Sequence, residues 1–113
     1  MTLQELGTIM QFGAAVKIII LNNNFLGMVR QWQELFNSKR YSFVDIQSPD
    51  FVLLAKAYNM DGQRVSERNK LKDALTKMMQ HKASYLLEVM VGKEHNVFPM
   101  VPQGCSVSEI RLS

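Results

Sequence analysis

The chain has 113 residues, of which 47% are hydrophobic and 20% charged, and its formal net charge is +3. This composition fits one small globular domain or a part of a larger one, and it excludes a disordered chain. Acidic residues are scattered among the basic ones, so we predict no nucleic-acid-binding face. The longest apolar run, residues 14–21, contains Lys17 and is far shorter than the roughly 20 residues that span a bilayer, so we predict no membrane segment.

Cysteine and histidine are too few for several common kinds of site. Cys105 is the only cysteine, and the histidines are His81 and His95. These three residues offer no internal disulfide, no Cys/His metal cage and no thiol nucleophile with its base. The chain does not open with a signal segment. We therefore predict a cytoplasmic location and two solvated histidines.

The first third of the chain predicts a helix, a strand and a second helix. Apolar residues recur at helical spacing over residues 2–12, and Gly13 follows as a C-terminal cap. Residues 16–21 form a short apolar run rich in β-branched residues, which is typical of a strand covered on both faces in a parallel sheet. Val29, Trp32 and Phe36 predict a helix with one apolar face. An exposed loop should follow at residues 37–40, and residues 41–47 give no clear pattern.

The middle of the chain contains turn and cap residues. Ser48, Pro49 and Asp50 are a helix start, because Ser caps free amides, Pro is pre-set for the first turn and Asp favours the positive end of the helix. Asp61 and Gly62 predict a turn. A short strand at residues 63–65 should follow.

The last part predicts one more helix and one more strand. Ser66 is a candidate cap for a helix that ends near residues 81–82, and residues 84–91 form a second apolar strand. From Gly92 onward, prolines and glycine break regular structure, so residues 92–113 should form an irregular C-terminal arm.

Strands that alternate with helices predict an α/β fold, in which right-handed βαβ units build a layered parallel sheet. We see no repeat and no linker, so residues 1–113 are predicted to be one structural unit. Only two strands look fully buried, which is few for a parallel sheet. We therefore expect an incomplete fragment that lacks the first strands of a larger domain, or a chain buried against partners.

Asn22, Asn23 and Asn24 directly follow the first strand. Parallel sheets bind ligands at the carboxyl ends of their strands, and an amide oxygen suits Mg²⁺ or Ca²⁺. Gly27 would let a ligand approach the backbone closely. However, asparagines are also good turn formers and helix caps. The residues by themselves leave both interpretations open.

The run Asn-Asn-Asn-Phe-Leu-Gly-Met-Val-Arg-Gln-Trp-Gln at residues 22–33 closely resembles the second half of the thiamine-diphosphate motif in acetolactate synthase catalytic subunits. The similarity extends to residues 16–21, 34–36, 48–51 and 96–102. It implies the C-terminal portion of a thiamine-diphosphate-binding domain. The implied enzyme condenses pyruvate with a second 2-keto acid in branched-chain amino-acid biosynthesis.

The resemblance also implies roles for individual residues. It implies that Asn23 gives its side-chain oxygen and Phe25 its backbone carbonyl to Mg²⁺, which holds the diphosphate. Met28 would support the bent shape of the cofactor. Trp32 would face the substrate channel and help to select the second 2-keto acid; the alternative for this residue is an ordinary core aromatic. The implied cofactor-binding set is Asn23, Asn24, Phe25, Leu26, Gly27 and Met28.

The resemblance places no catalytic acid or base in this chain, because the family uses a glutamate on a different domain of a neighbouring subunit. The glutamates that we predict to be solvated are Glu5, Glu34, Glu67, Glu88, Glu94 and Glu109. The motif's first half, Gly-Asp-Gly, does not occur in the sequence. We therefore expect the chain alone to be inactive and to bind the cofactor weakly. The family implies a homo-oligomer, dimer or tetramer, allows a regulatory subunit, and binds any FAD outside this segment.

Two rival functions remain open. Another thiamine-diphosphate enzyme, such as a 2-keto acid decarboxylase or oxidase, would share the asparagine pair, but residues 28–32 favour the synthases. The second rival is a non-catalytic α/β association module.

Overall fold

The computed structural model describes residues 2–112. Its elements are α1 (Glu5–Phe12), β1 (Lys17–Asn22), α2 (Gly27–Phe36), α3 (Phe51–Ala57), β2 (Asp61–Val65), α4 (Arg68–Gln80) and β3 (Tyr85–Met90), followed by a short 3₁₀ turn at Val107–Glu109. The chain forms two compact units. The first contains the chain up to Asn23 together with Gln47–Val91, and the second contains Asn24–Ile46 and the chain from Gly92.

The first unit is built on a three-stranded parallel sheet in the order β1-β3-β2. The central strand β3 is buried along nearly its whole length. A continuous apolar strand is stable only when both faces are covered, and β3 meets that condition. The predicted α/β fold with a parallel sheet is confirmed.

Two hydrophobic clusters cover the two faces of this sheet. Neighbouring residues of a strand point to opposite faces, so Leu86 and Leu87 of β3 belong to different clusters. The Leu87 cluster includes Ala74 and Met78 of α4. The Leu86 cluster includes Leu6 of α1 and Ala55 of α3. Because each fully buried leucine contributes about 1.5–3 kcal/mol, β3 is the main source of cohesion in this unit.

Strand β1 lies where predicted but is covered on one face only. Ile18 and Ile20 pack against the Leu86 cluster, whereas Ile19 and Leu21 are 48% and 68% exposed. One face of β1 stays uncovered because β1 is an edge strand, and α4, the helix on that face of the sheet, packs on β3 and β2 instead. The expectation that both faces are covered is wrong for the described residues.

The helix boundaries confirm some predicted caps and correct others. Gly13 ends α1 in the left-handed conformation, with φ 62°, as predicted. The N-cap of α3 is Asp50, whose Oδ1 accepts hydrogen bonds from the amides of Val52 and Leu53 at 3.0 and 2.9 Å. Ser48, the predicted cap, precedes this position. Likewise the N-cap of α4 is Glu67 rather than Ser66.

Asp61 and Gly62 do not form the predicted turn, because they open β2. A Cβ atom on Gly62 would lie 3.1 Å from the backbone oxygen of Leu86 and 3.3 Å from the Cβ of Ala55. The glycine therefore lets β2 lie close to β3 and α3. The sequence signal was real, but it marked close packing instead of a change of direction.

In the second unit, the chain after the exposed loop runs beside the start of α2. Phe25 pairs with Asp45 in an isolated antiparallel bridge. The amide of Leu26 donates to the Val44 carbonyl at 2.8 Å, and the amide of Ile46 donates to the Asn24 carbonyl at 3.0 Å. These bonds give residues 41–47 a defined path that their sequence pattern did not indicate.

The C-terminal segment from Gly92 is held by hydrogen bonds within the second unit. The side chain of Gln31 is only 1% exposed; its Nε2 donates to the Val97 carbonyl at 2.9 Å, and its Oε1 accepts from the Val97 amide at 2.8 Å. Farther along, Met100 and Arg111 exchange two backbone hydrogen bonds of 2.9 and 2.8 Å. The amide side chain of Gln31 thus acts like a short piece of neighbouring strand.

Candidate functional site

The site begins at Asn22, the last residue of β1. Its side chain is buried, and both ends of the amide are bonded. The Nδ2 donates to Glu88 Oε1 at 2.8 Å, and the Oδ1 accepts from the hydroxyl of Ser48 at 3.2 Å. Asn22 therefore serves the structure at the end of the strand.

Glu88 lies in the centre of the sheet and is 1% exposed. Its Oε2 accepts a hydrogen bond from Arg64 Nε at 2.6 Å, and Arg64 also reaches Asp50 at 3.4 Å. The prediction that Glu88 is solvated is wrong. The strand register explains the burial. Glu88 lies opposite Arg64 on β2 and opposite Ile20 on β1. Ile20 comes two residues before Asn22, so both point to the same face of the sheet as Glu88. An acidic residue inside an apolar strand was the signal in the sequence.

The charges of this group affect one another. The hydrogen bond and the negative charge of Glu88 raise the pKa of Arg64, so the guanidinium stays charged. The pKa of Asp50 is lowered, first by the hydrogen bond from the Leu53 amide and further by the positive charge of Arg64. A buried carboxylate is stable only when paired, and Glu88 has both a cation and an amide donor.

Asn23 and Asn24 differ from Asn22 and from each other. Asn23 is half-buried in the first unit, at the carboxyl end of β1, which is the edge where parallel sheets bind ligands. Asn24 is exposed and adopts φ 55°, a left-handed conformation that asparagine tolerates better than most residues. The turn interpretation therefore applies to Asn24, and the site prediction for Asn23 stays a prediction.

The remaining residues of the implied cofactor set lie at the start of α2 in the second unit. Gly27 is the first residue of the helix, and Leu26 and Met28 are 44% and 53% exposed. Helix N-termini carry free amides and a partial positive charge that suit a diphosphate. Lys93, which the sequence analysis did not single out, lies 4.8 Å above the ring of Phe25 and adds a positive charge to this unit.

The apolar face predicted for α2 is exposed, while two polar residues of the helix are buried. Arg30 is 8% exposed and pairs with Glu34 at 3.0 Å, which makes Glu34 only partly solvated, and Gln31 is buried against Val97. We call the exposed face the α2 apolar face, and its residues are Met28, Val29, Trp32 and Phe36.

Trp32 belongs to this face. It is 39% exposed, and its ring centroid lies 5.2 Å from that of Phe36. Met28 is one helical turn away on the same side. Trp32 is therefore not an ordinary core residue among the described residues of this unit.

The predicted metal ligands fit Mg²⁺ in kind. An amide oxygen and a backbone carbonyl are hard oxygen ligands, as Mg²⁺ requires. Both are neutral, and residues 2–112 contain no group of three or more His, Cys, Asp or Glu side chains that could hold a metal. Negative charge for a divalent ion would thus have to come from a phosphate or from outside these residues.

Also within residues 2–112, none of the helices is long and apolar enough to cross a membrane.

Comparisons with known proteins agree with this fold. Residues 1–89 match the C-terminal TPP-binding domain of thiamine pyrophosphate enzymes. The chain belongs to this family, and its cofactor is thiamine diphosphate.

The curated relatives confirm the resemblance seen in the sequence. The chain is 45% identical to the mitochondrial acetolactate synthase catalytic subunit of Aspergillus candidus, over 96% of this chain and 16% of the relative. It is 42% identical to the acetolactate synthase isozyme 2 large subunit of Escherichia coli K12, over 97% of this chain and 20% of the relative. The chain therefore spans about a fifth or less of the length of these relatives.

Among solved structures, the chain is similar to a thiamine diphosphate-dependent 4-hydroxybenzoylformate decarboxylase of Rhodococcus jostii RHA1. The TM-score is 0.72 and the identity 28%, over 81% of this chain and 18% of that one. The thiamine-diphosphate-binding fold is thereby confirmed.

Proposed function

We propose that this chain forms the diphosphate-binding end of an acetolactate synthase, which condenses pyruvate with a second 2-keto acid in branched-chain amino-acid biosynthesis. The observation that carries the proposal is the 45% and 42% identity to two acetolactate synthases across 96% and 97% of the chain. A 2-keto acid decarboxylase is the second candidate, favoured by the structural similarity at 28% identity. The higher identity to the synthases supports the first candidate.

In this proposal, Asn23 and the backbone carbonyl of Phe25 bind Mg²⁺, which holds the diphosphate. The location of Asn23 at the carboxyl end of β1 supports its role. Thiamine diphosphate, when bound, supplies the electron sink that the reaction needs. Met28 supports the cofactor, and Trp32 contacts the 2-keto acid; their exposure on one side of α2 leaves both accessible.

We further propose that the described residues need other parts of an enzyme for activity. Mg²⁺ sites in proteins usually combine one or two carboxylates with substrate phosphates. The two ligands proposed in this chain are neutral, and the sequence contains no Gly-Asp-Gly. The chain by itself should therefore be inactive, and any FAD should bind elsewhere. The cytoplasmic location stays a prediction, since one of the relatives is named as mitochondrial.

Self-association into a dimer or tetramer is part of the same proposal. Its support is the two residues of the α2 apolar face that have no proposed ligand role, Val29 and Phe36, which are 46% and 45% exposed. A cluster of large apolar side chains on one helix face is typical of an interaction surface. The proposal also includes a regulatory subunit, to which no residue of the chain is assigned.

A chimeric enzyme tests the proposal. The matching 111 residues of the Escherichia coli isozyme 2 large subunit are replaced by this chain. We expect the chimera to form acetolactate from pyruvate and to elute from a sizing column as a dimer or larger. Asn23→Ala should lower its Mg²⁺ affinity by roughly 100-fold. Loss of a residue that only supports a metal ligand lowers metal affinity about 10–100-fold, and loss of the ligand itself should lower it at least as much.

Asn37→Ala is the matched control, since Asn37 is an exposed asparagine just after α2. Its Mg²⁺ affinity should equal that of the unmodified chimera. A folded, cofactor-binding chimera that releases an aldehyde but no acetolactate would contradict the synthase proposal and support a decarboxylase.

A further inference from the structure

The residues around Glu88 form a continuous chain of contacts inside the first unit. Ser48 donates to Asn22 at 3.2 Å, Asn22 donates to Glu88 at 2.8 Å, and Arg64 donates to Glu88 at 2.6 Å. The backbone oxygen of Asn22 also accepts from the Val91 amide at 3.0 Å. Asn22 is therefore held by its main chain and by both ends of its side chain.

Stability alone does not explain a carboxylate at this place. Removing a carboxylate from water costs several kcal/mol, and a buried ion pair often contributes no more than apolar residues of the same volume. The neighbouring residues Leu87 and Val89 of β3 show that the strand readily accepts apolar side chains. Glu88 thus gives the strand end something that an apolar residue cannot, which is a directional bond to Asn22.

We propose that Glu88 is a positioning residue for the end of β1. Glu88 holds the nitrogen of the Asn22 side-chain amide, and Ser48 holds its oxygen. Together they fix the backbone at Asn22, from which the next residue, Asn23, leaves the sheet. Asn23 then presents its side chain in one direction before any ligand arrives. Only the identity of the ligand, Mg²⁺, rests on the function proposed above.

Glu88→Gln is the variant that tests this role. Gln keeps the volume of the side chain but replaces one of the two carboxylate oxygens with an NH₂ group. This NH₂ donor would face either the Asn22 Nδ2 donor or the Arg64 Nε donor, so one of the two hydrogen bonds would be lost. We expect the Asn23 amide in the metal-free chain to become mobile. Its order parameter, measured by ¹⁵N relaxation, should fall from about 0.85 to below about 0.6.

Three further variants separate positioning from loss of stability. Val89→Ala removes packing on the other face of the same strand and should leave the order of Asn23 unchanged. Ser48→Ala removes one bond at a half-buried position, so it should fold and loosen Asn23 partly. The double variant Asn22→Asp with Glu88→Gln reverses the hydrogen bond between these two positions, so that the new glutamine donates and the new aspartate accepts. The remaining oxygens can again accept from Arg64 and Ser48, and the Asn23 amide should become ordered again.

Two results would overturn the proposal. One is an Asn23 amide that stays ordered in both the Glu88→Gln and Ser48→Ala chains. The other is an amide that loosens equally in Val89→Ala, which would indicate a general loss of stability.

A titration with Mg²⁺ in the presence of excess thiamine diphosphate, whose phosphates supply the negative charge that the two neutral ligands lack, tests the ligand separately and is followed at the side-chain amide signals of Asn23. Glu88→Gln should need about tenfold more Mg²⁺ than the unmodified chain, the effect typical of residues behind a metal ligand. If Asn23 of the unmodified chain does not respond to Mg²⁺, the proposed metal role is wrong. The metal-free measurement still decides the role of Glu88.

Discussion

Asn22, Asn23 and Asn24 have the same side chain, yet their surroundings give them different roles. Asn22 is buried and bonded to Glu88 and Ser48, whereas Asn24 is exposed and left-handed. Only Asn23 combines partial exposure with a position at the carboxyl end of β1. The environment of each residue therefore favours Asn23 as the ligand, in agreement with the sequence resemblance.

At the same scale, Asp50 should make stability depend on pH. Its pKa is lowered by the amide of Leu53 and by the charge of Arg64, so the stabilisation it provides is present above the ordinary pKa of 3.8 and is lost as the pH falls through the lowered value. Asp50→Asn keeps a capping oxygen without the charge. We expect the variant to unfold a few degrees lower at neutral pH and the difference to vanish in acid.

Thermal unfolding over a pH series measures this effect. Asp73→Asn, which changes an exposed carboxylate inside α4, is the control and should show no such closing difference. A difference for Asp50→Asn that stays constant down to acid would show that the charge of Asp50 does not contribute.

At the scale of elements, β3 organises the first unit and α2 organises the second. Strand β3 pairs with both other strands and contributes to both hydrophobic clusters. Helix α2 uses Gln31 to hold Val97 and Gln33 to hold Ser42, each through a pair of hydrogen bonds. One unit is thus joined mainly by apolar packing, and the other depends more on side-chain amides.

The close packing of β2 predicts opposite effects for two glycine substitutions. Gly62→Ala should lower the free energy of unfolding by about 1–3 kcal/mol, because its Cβ would press on the backbone of Leu86. Gly7→Ala should raise it by about 0.5–1 kcal/mol, because Gly7 is inside α1 and its Cβ would meet Tyr58 at an ordinary 3.9 Å. Urea unfolding measures both, and equal signs would contradict the packing argument.

The amide pairs of α2 predict a local effect in the second unit. Gln31→Leu keeps the buried volume but leaves the amide and carbonyl of Val97 without their side-chain partner. We expect hydrogen exchange at the Val97 amide to become roughly fivefold faster, since one lost hydrogen bond is worth about 1 kcal/mol.

Gln33→Leu is the matched control, because Gln33 makes the same pair of bonds to Ser42 at 2.9 Å on an exposed part of the helix. It should accelerate exchange at Ser42 and leave Val97 protected. Unchanged exchange at Val97 in Gln31→Leu would show that other contacts hold this segment.

At the scale of the whole molecule, the chain combines a net charge of +3 with neutral proposed metal ligands. The relatives that it matches are about five times longer or more, since it covers 20% and 16% of them. A cofactor with two phosphates should therefore be attracted to the chain but not held firmly by it.

Calorimetry with thiamine diphosphate and Mg²⁺ checks this expectation. We expect a dissociation constant of roughly millimolar or weaker, which corresponds to only about 4 kcal/mol of binding free energy. The Asn23→Ala chain, measured in parallel, should bind no better. A micromolar constant for the unmodified chain would contradict the proposal that it needs further ligands.

The sequence by itself determined the fold class, the order of helices and strands, and the family, because periodicity and a long specific motif are local properties of the chain. It also identified Gly13 correctly as the C-cap of α1. Tertiary structure alone decided that Glu88 is buried, that Asp50 caps α3, that Gly62 lies inside a strand and that the apolar side of α2 faces outward. Each of these depends on strand register or on partners distant in the chain, such as Arg64 for Glu88 and Val97 for Gln31. A local pattern, such as an acidic residue inside an apolar strand, can mark the position but does not identify the partner, which becomes known only when the strands and loops are brought together.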